Sequence, residues 1–200
     1  MSEPRPRPEP PDLALIDRCR HGDRAALEVV LRENAPSVER LIGRMVGPDA
    51  ELEDLLQQTL IAAVKSFPRY RGEASVKTWL CRIAVNIVKQ HLRRPHRKRR
   101  VALELVPERP TAPELSPDVR ARQQHALERL FHHLEAIGTD KRLAFVLHVV
   151  EGYSIDEVAA LTGASSSATK SRIFWCRRAL LSRAKKDPAL RSYLSDEDEA

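Results

Sequence analysis

The stretch Glu151–Leu181, EGYSIDEVAALTGASSSATKSRIFWCRRALL, decides the fold of the C-terminal part of this 200-residue chain. Ser154 and Glu157 have the spacing of a capping box, which predicts a short helix directly after it. Gly163 then permits a turn, and Ser165 can cap a second helix that continues to about residue 181. A short helix, a tight turn and a longer basic helix predict a helix-turn-helix, whose second helix enters the major groove of DNA.

The second helix of this unit has two faces. Ile173, Cys176 and Leu180 form an apolar stripe that faces inward. With that stripe facing inward, the polar side chains expected to lie near a DNA groove or backbone are Ser166, Ser167, Lys170, Ser171, Arg177 and Arg178. Any pair of antiparallel helices has this outline, but the cap, the turn and the basic charge together favour DNA binding.

A second helical unit lies at 67–94, FPRYRGEASVKTWLCRIAVNIVKQHLRR. Its helix, predicted over about 75–94, carries an apolar stripe with helical spacing: Val76, Trp79, Leu80, Ile83, Ala84, Ile87, Val88 and His91. The opposite face carries cations suited to phosphates and amides suited to base edges: Lys77, Thr78, Arg82, Asn86, Lys89, Gln90, Arg93 and Arg94. A charged face that is simply solvated is the alternative.

The loop that precedes this helix combines the basic residues Arg69 and Arg71 with the aromatic Tyr70. Such a loop could receive an unstacked base, because stacking on an aromatic ring contributes about 1–3 kcal/mol per base. The alternative is a plain connecting turn in which Ser75 caps the next helix.

A third polar surface is predicted on the helix over 51–67. Glu51, Asp54 and Gln58 fall on one side of it, and leucines fall on the other. The acidic and amide side chains could form a docking face for a basic partner protein, or a solvated face.

Composition narrows the class of function. The net charge of +6 and the pI near 9.5 indicate a polyanionic partner, with nucleic acid before a membrane surface. No apolar run approaches the ~20 residues that span a bilayer, and no secretory signal begins the chain. Cys19, Cys81 and Cys176 are widely spaced, which predicts reduced, buried thiols in a cytoplasmic protein. No catalytic motif or ligand spacing is present, so we predict no enzyme activity, metal or cofactor.

The predicted fold class is all-α, with two small helical domains joined by a flexible proline-rich linker. Five prolines between positions 95 and 117 argue against a continuous helix there. The predicted parts are a disordered tail (1–11), a first domain (12–95), the linker (96–118), a helix-turn-helix domain (119–186) and an acidic tail (187–200).

Three segments in chain order resemble the extracytoplasmic-function (ECF) group of bacterial RNA polymerase sigma factors. Residues 49–60, DAELEDLLQQTL, are similar to that family's D-A-E-D-L-x-Q-x-x-F segment. Residues 67–86 resemble its F-R-G…T-W-L-x-x-I-A-x-N segment, and residues 151–172 resemble its E-G-x-S…V-K-S-R helix-turn-helix. The likeness covers about residues 12–186.

The resemblance implies a role for each surface. Residues that would dock on core polymerase are Glu51, Asp54, Gln57 and Gln58. Residues that would open and read the −10 element are Arg69, Tyr70, Arg71, Lys77, Arg82, Asn86, Lys89, Gln90 and Arg93. The helix from Ser165 to Arg178, with Arg172 included, would read the −35 element.

The resemblance also implies partners: core RNA polymerase, promoter DNA and an anti-sigma factor, with no small-molecule substrate and no membrane insertion. The chain departs from the family pattern at Ala168-Thr169, where the family usually has Thr-Val. Thr169 puts a hydroxyl at a core position, which costs free energy unless it is hydrogen-bonded. The other readings are a stand-alone helix-turn-helix regulator and an interaction protein that has lost promoter recognition.

Overall fold

The computed structural model describes residues 13–47, 51–93 and 116–194, and all regular structure within them is helical, as predicted. The α-helices follow in the order α1 (Leu13–Arg20), α2 (Arg24–Val46), α3 (Leu52–Ser66), α4 (Val76–Arg93), α5 (Pro117–Glu135), α6 (Thr139–Phe145), α7 (Ile155–Thr162), α8 (Ser166–Ala184) and α9 (Pro188–Arg191). A 3-10 turn (Phe67–Arg69) follows α3, and a π-helical turn (Val146–Val150) continues α6. None of these helices is long and apolar enough to cross a bilayer. The predicted N-terminal tail, Arg94, the linker up to 115 and the last six residues lie outside the described residues.

The predicted helix caps are confirmed. The Ser75 hydroxyl oxygen accepts a hydrogen bond from the Thr78 amide at 3.1 Å, and the Ser165 hydroxyl oxygen accepts one from the Ala168 amide at 3.2 Å. Ser154 and Glu157 form the complete capping box, and Gly163 has the left-handed φ of 67° that ends α7. Because these caps supply partners for amides that a helix leaves unpaired, they position the start of each helix.

Helix α5 begins at Pro117 rather than at 119, because proline has no amide hydrogen to leave unpaired in the first helical turn.

The first four helices pack around α2, which contacts α1, α3 and α4. On α4 the buried residues are Val76, Leu80, Cys81, Ala84, Val85 and Val88. The predicted stripe is therefore shifted by part of a turn, since Trp79, Ile83 and Ile87 are only partly buried and Cys81 and Val85 are buried instead. The reason is that α4 also contacts α6 and α7, which widens its covered face. The three cysteines are buried free thiols, as predicted.

The two halves of the chain share one hydrophobic core. The cluster that holds Val38, Ile42 and Leu80 also contains Leu147 and Val158 from the second half. Contacts between the halves run from α4 to α6 and α7, and from α2 to the π-helical turn. Gly47, at the end of α2, has a φ of 73°, and a Cβ there would lie only 2.5 Å from the Phe131 ring. The structure is therefore a closed arrangement of the two halves.

The fold extends past residue 186, into the segment predicted as the acidic tail. Asp187 is buried, and its carboxylate accepts hydrogen bonds from Arg129 Nε at 2.7 Å and from the Ala189 amide at 3.1 Å, with His133 Nε2 at 2.8 Å. Helix α9 follows and packs on α5 through Leu190. The sequence did not indicate a structural role for Asp187, because its segment is acidic overall and its side-chain partners, Arg129 and His133, lie more than fifty residues earlier in the chain.

The Asp187 contacts predict an acid-sensitive fold. The hydrogen bond from Arg129, with those from His133 and Ala189, lowers the Asp187 pKa from its ordinary 3.8 to about 2. Because the folded-state pKa is the lower one, ionised Asp187 stabilises the fold above about pH 4, and this contribution is lost as the pH falls from about 4 to 2. We expect Asp187→Asn to flatten the dependence of unfolding free energy on pH in that range, as measured by urea denaturation at pH 5 and pH 2.5. Equal pH dependence in the variant and the parent chain would contradict this role.

Thr169 occupies the core position that its place in α8 predicts. It is 0% exposed, and its hydroxyl has no hydrogen-bond partner among the described residues. A buried hydroxyl without a partner costs about 1–3 kcal/mol. We therefore expect Thr169→Val to raise the free energy of unfolding by about 1 kcal/mol or more, measured as a higher denaturant midpoint at unchanged slope. The matched control is Thr162→Val, because the Thr162 hydroxyl donates to the Val158 carbonyl at 2.8 Å and its loss should destabilise the fold.

Candidate nucleic-acid interface

The loop between α3 and α4 is held by a cluster of three aromatic rings. Phe67, Tyr70 and Trp79 have ring centroids 5.2–5.4 Å apart, in tilted and edge-on pairs. Tyr70 is 5% exposed, and its hydroxyl donates to the Ala74 carbonyl. In this arrangement the Tyr70 ring packs against Phe67 and Trp79, so it is not exposed to stack on a base, as the predicted DNA contact would require. Arg69 and Arg71 of the same loop are exposed.

The structure divides the predicted polar residues of α4 into two sets. Lys77, Arg82, Asn86 and Gln90 are exposed. Lys89 and Arg93 instead contact the second half of the chain: Lys89 Nζ donates to the Thr162 carbonyl at 3.1 Å, and Arg93 donates to both carboxylate oxygens of Asp140 at 2.9 and 3.1 Å. The second set is therefore not free to contact phosphates in this arrangement.

Asp140 lies at the centre of a cluster of cations. Besides Arg93, Lys89 Nζ lies 3.6 Å from its carboxylate and Arg172 Nη2 lies 3.9 Å away. Burial raises the pKa of Asp140, but the Arg93 hydrogen bond and the charges of Lys89, Arg93 and Arg172 outweigh it, so the pKa lies below its ordinary value. One carboxylate at the start of α6 thus neutralises cations from both predicted DNA-binding helices. Asp140 was not predicted, because its partners are distant in the sequence.

A second ion pair also joins the two halves. Arg44 Nη1 of α2 lies 2.5 Å from Glu151 Oε1, and the Glu151 side chain is only 10% exposed. Between the loop and α7 lies a groove of about 300 Å3, lined by Trp79 and Arg82 on one side and by Tyr153 and Glu157 on the other. The −10 candidate surface therefore faces the helix-turn-helix across this groove.

Helix α8 presents most of its predicted residues to solvent. Ser167, Lys170, Ser171, Arg177 and Arg178 are exposed. Three others have structural contacts: Ser165 caps the helix, the Ser166 hydroxyl donates to Asp156 at 2.5 Å, and Arg172 lies beside Asp140.

The exposed face of α8 also carries two aromatic side chains that our sequence reasoning missed. Phe174 is 58% exposed and Trp175 is 48% exposed, with the Arg178 guanidinium 5.6 Å from the Trp175 ring centroid. They lie one helical turn after Ser171. Because residues three and four positions apart share a helix face, their distance from Ser171 in the sequence could have indicated that they are exposed.

Helix α3 shows the third predicted surface. Asp54, Gln57 and Gln58 are exposed, whereas Glu51 lies just before the helix and is partly covered, 3.3 Å from His91 Nδ1. Ile61 and Val64, 47% and 45% exposed, continue the Asp54–Gln57 row by helical spacing. The sequence analysis did not identify these two apolar residues. With them, the surface of α3 contains both polar and apolar side chains, as protein-binding surfaces commonly do.

Known families match the chain in two segments. A model of sigma-70 region 2 matches residues 30–99, and a model of sigma-70 region 4 matches residues 125–187. The chain is 30% identical over 176 residues to the ECF RNA polymerase sigma-E factor of Escherichia coli K12, covering 84% of this chain and 92% of that protein. It is 28% identical to the RNA polymerase sigma-H factor of Pseudomonas aeruginosa, covering 84% of this chain and 91% of that protein.

Two solved structures share the fold. CnrH, in complex with the cytosolic domain of CnrY, has a TM-score of 0.62 at 22% identity, covering 88% of this chain and 98% of that one. The sigma factor RpoE of Bartonella quintana, in complex with the anti-sigma factor NepR, has a TM-score of 0.58 at 22% identity, covering 78% and 95%. With regions 2 and 4 in order and a sigma-E relative matched over nearly its whole length, the chain belongs to the ECF sigma factors, non-enzymatic proteins that bind core RNA polymerase and promoter elements.

Proposed function

We propose that each exposed surface carries one part of promoter recognition, in the cytoplasm. The α3 surface docks on core polymerase through Asp54, Gln57 and Gln58, with Glu51 beside it. The loop and α4 contact the −10 element, and α8 contacts the −35 element. The observation that carries this proposal is the capped helix α8, which turns Ser167, Ser171 and Arg178 to solvent on the face opposite buried Cys176 and Leu180.

The closed arrangement supports a change of shape during promoter binding. Asp140 forms ion pairs with three candidate phosphate contacts, Lys89, Arg93 and Arg172. A DNA phosphate offers the same charge-assisted hydrogen bonds that the carboxylate now accepts. We therefore propose that polymerase and promoter bind an open form in which Asp140 has released these cations.

The proposed linker is long enough for this opening. The segment between Arg93 and Ser116, which includes most of the predicted linker (96–118), would span at most roughly 75 Å if it were fully extended. The proposed domains are those predicted from the sequence, 12–95 and 119–186, with the second extended to include α9. Two modest DNA contacts on one tether gain effective concentration when both sites lie on the same duplex.

An anti-sigma factor is the proposed inhibitory partner. Two proteins of the same fold, CnrH and RpoE, were solved with CnrY and with the anti-sigma factor NepR, respectively. A partner of this kind would act most simply by binding the closed form and not the open one, because a ligand shifts an equilibrium by its difference in affinity for the two states.

The test is transcription by reconstituted polymerase. Purified core polymerase with this chain is given a library of genomic promoters, and run-off transcripts are sequenced, with core polymerase alone as the control. Transcripts whose promoters share two spaced elements would support the proposal. Binding to core without new transcripts would contradict the DNA roles and favour an interaction protein, and no binding to core would contradict the role of α3.

A further inference from the structure

An open cavity of about 570 Å3 lies beside the loop that precedes α4. Its lining consists of Arg20, Pro68, Arg69, Tyr70 and Arg71. Four of these residues belong to the loop or the turn before it. Arg20 comes from the last turn of α1, fifty residues earlier, and neither its motif context nor its spacing pointed to a role in DNA binding.

Two contacts hold Arg20 against the loop. Its Nε donates to the Tyr70 carbonyl at 2.8 Å, and its guanidinium carbon lies 5.9 Å from the Tyr70 ring centroid. Gly72 passes close by, since a Cβ on it would lie 3.4 Å from Arg20 Nη2. The guanidinium is therefore fixed in place by one of its nitrogens, while its other nitrogens make no hydrogen bond within the described part of the chain.

The positive charge of the cavity is poorly balanced. Among the described residues, no carboxylate lies within ion-pair distance of Arg20 or Arg69. Arg71 has Glu73 at 3.7 Å, but both side chains are more than 70% exposed, so this pair contributes little. Three guanidinium groups around one open cavity select an anion, and a guanidinium fork matches the oxygens of a phosphate group.

We propose that Arg20 and Arg69 bind a phosphodiester of single-stranded DNA in this cavity. The proposal rests on the proposed function of the loop in contacting the −10 element, and it adds a phosphate contact from α1. The buried Tyr70 ring is excluded as a stacking platform, so the affinity of this site comes from charge. Arg20 also positions the loop through the Tyr70 carbonyl, which brings Arg69 and Arg71 to the same cavity.

The test uses the full chain and a fluorescein-labelled, random-sequence single-stranded 15-mer, with binding followed by anisotropy between 50 and 200 mM salt. Arg20→Met should weaken binding about fivefold to tenfold at 50 mM salt. It should also reduce the slope of log affinity against log salt by about 0.7, the value for one lost phosphate contact on single-stranded DNA. Arg20→Lys keeps a cation and should restore most of that slope. The matched control is Arg40→Met, which removes the same charge from an exposed position outside the cavity and should leave the slope nearly unchanged.

Two results would overturn the proposal. The first is an Arg20→Met variant that behaves like Arg40→Met. The second is weaker binding at an unchanged salt slope, which would mean that Arg20 only supports the loop. Failure of the unmodified chain to direct transcription would count against the proposed function alone, because this assay contains no polymerase.

Discussion

A chain that carries both Asp54→Ala and Gln57→Ala is expected to lose about a thousandfold in affinity for core RNA polymerase. Both side chains are exposed on one face of α3, so their removal leaves the core intact. We expect both residues to be hot spots of the interface, each costing about 2 kcal/mol on truncation, so the double variant should lose about 4 kcal/mol. Each 1.4 kcal/mol is a factor of ten in the dissociation constant. The measurement is a titration of labelled chain with purified core polymerase.

The control for this double variant is Asp118→Ala with Gln123→Ala. These residues lie on the exposed side of α5, and their substitution removes the same two functional groups. The control variant should bind core polymerase with the affinity of the parent chain. An α3 variant that is fully folded by circular dichroism and still binds with parental affinity would show that α3 is not the docking surface.

Substitution of Asp140 by asparagine is expected to raise the affinity of the isolated chain for duplex DNA about tenfold at 50 mM salt. The carboxylate contacts Lys89, Arg93 and Arg172, and its side chain is 31% exposed. A single exposed ion pair contributes at most about 1 kcal/mol, so we assign about 1–2 kcal/mol to this partly buried cluster of three cations. A loss of about 1.4 kcal/mol increases the open population tenfold. If only the open form binds DNA with all of its cations, the apparent affinity rises by the same factor.

Two measurements test the Asp140 prediction together. Amide hydrogen exchange at the α4–α6 contact should become about tenfold faster, and binding of a random-sequence duplex should tighten in parallel. Asp118→Asn is the matched control, because it removes a carboxylate from the first turn of another helix and leaves the contact between the halves unchanged. Tighter DNA binding without faster exchange would mean that Asp140 acts only by repelling DNA.

The arrangement of charges explains why a single carboxylate has this influence. With a net charge of +6, the chain has more cations than anions to pair with them. Three of the cations that the sequence assigns to DNA converge on Asp140, and the shared hydrophobic core holds them there. Under the proposed function, DNA binding would depend on competition between this carboxylate and the phosphates of the promoter.

The sequence by itself determined the local structure, including the caps at Ser75, Ser154 and Ser165 and the helix-turn-helix at Gly163. Such features depend on neighbours within about four residues, whose chemistry can be read from the printed order. The same holds for Thr169, whose buried position follows from the spacing along α8.

Only the tertiary structure decided which polar residues are free. Tyr70 is buried because Phe67 and Trp79 close over it, and Lys89, Arg93 and Arg172 are paired because α6 brings Asp140 between α4 and α8. Arg20 reaches the loop at Tyr70 across fifty residues, and Asp187 reaches Arg129 across fifty-eight. Contacts of this kind depend on how the helices pack against one another, and helical periodicity indicates which face of a helix is covered but not which helix covers it.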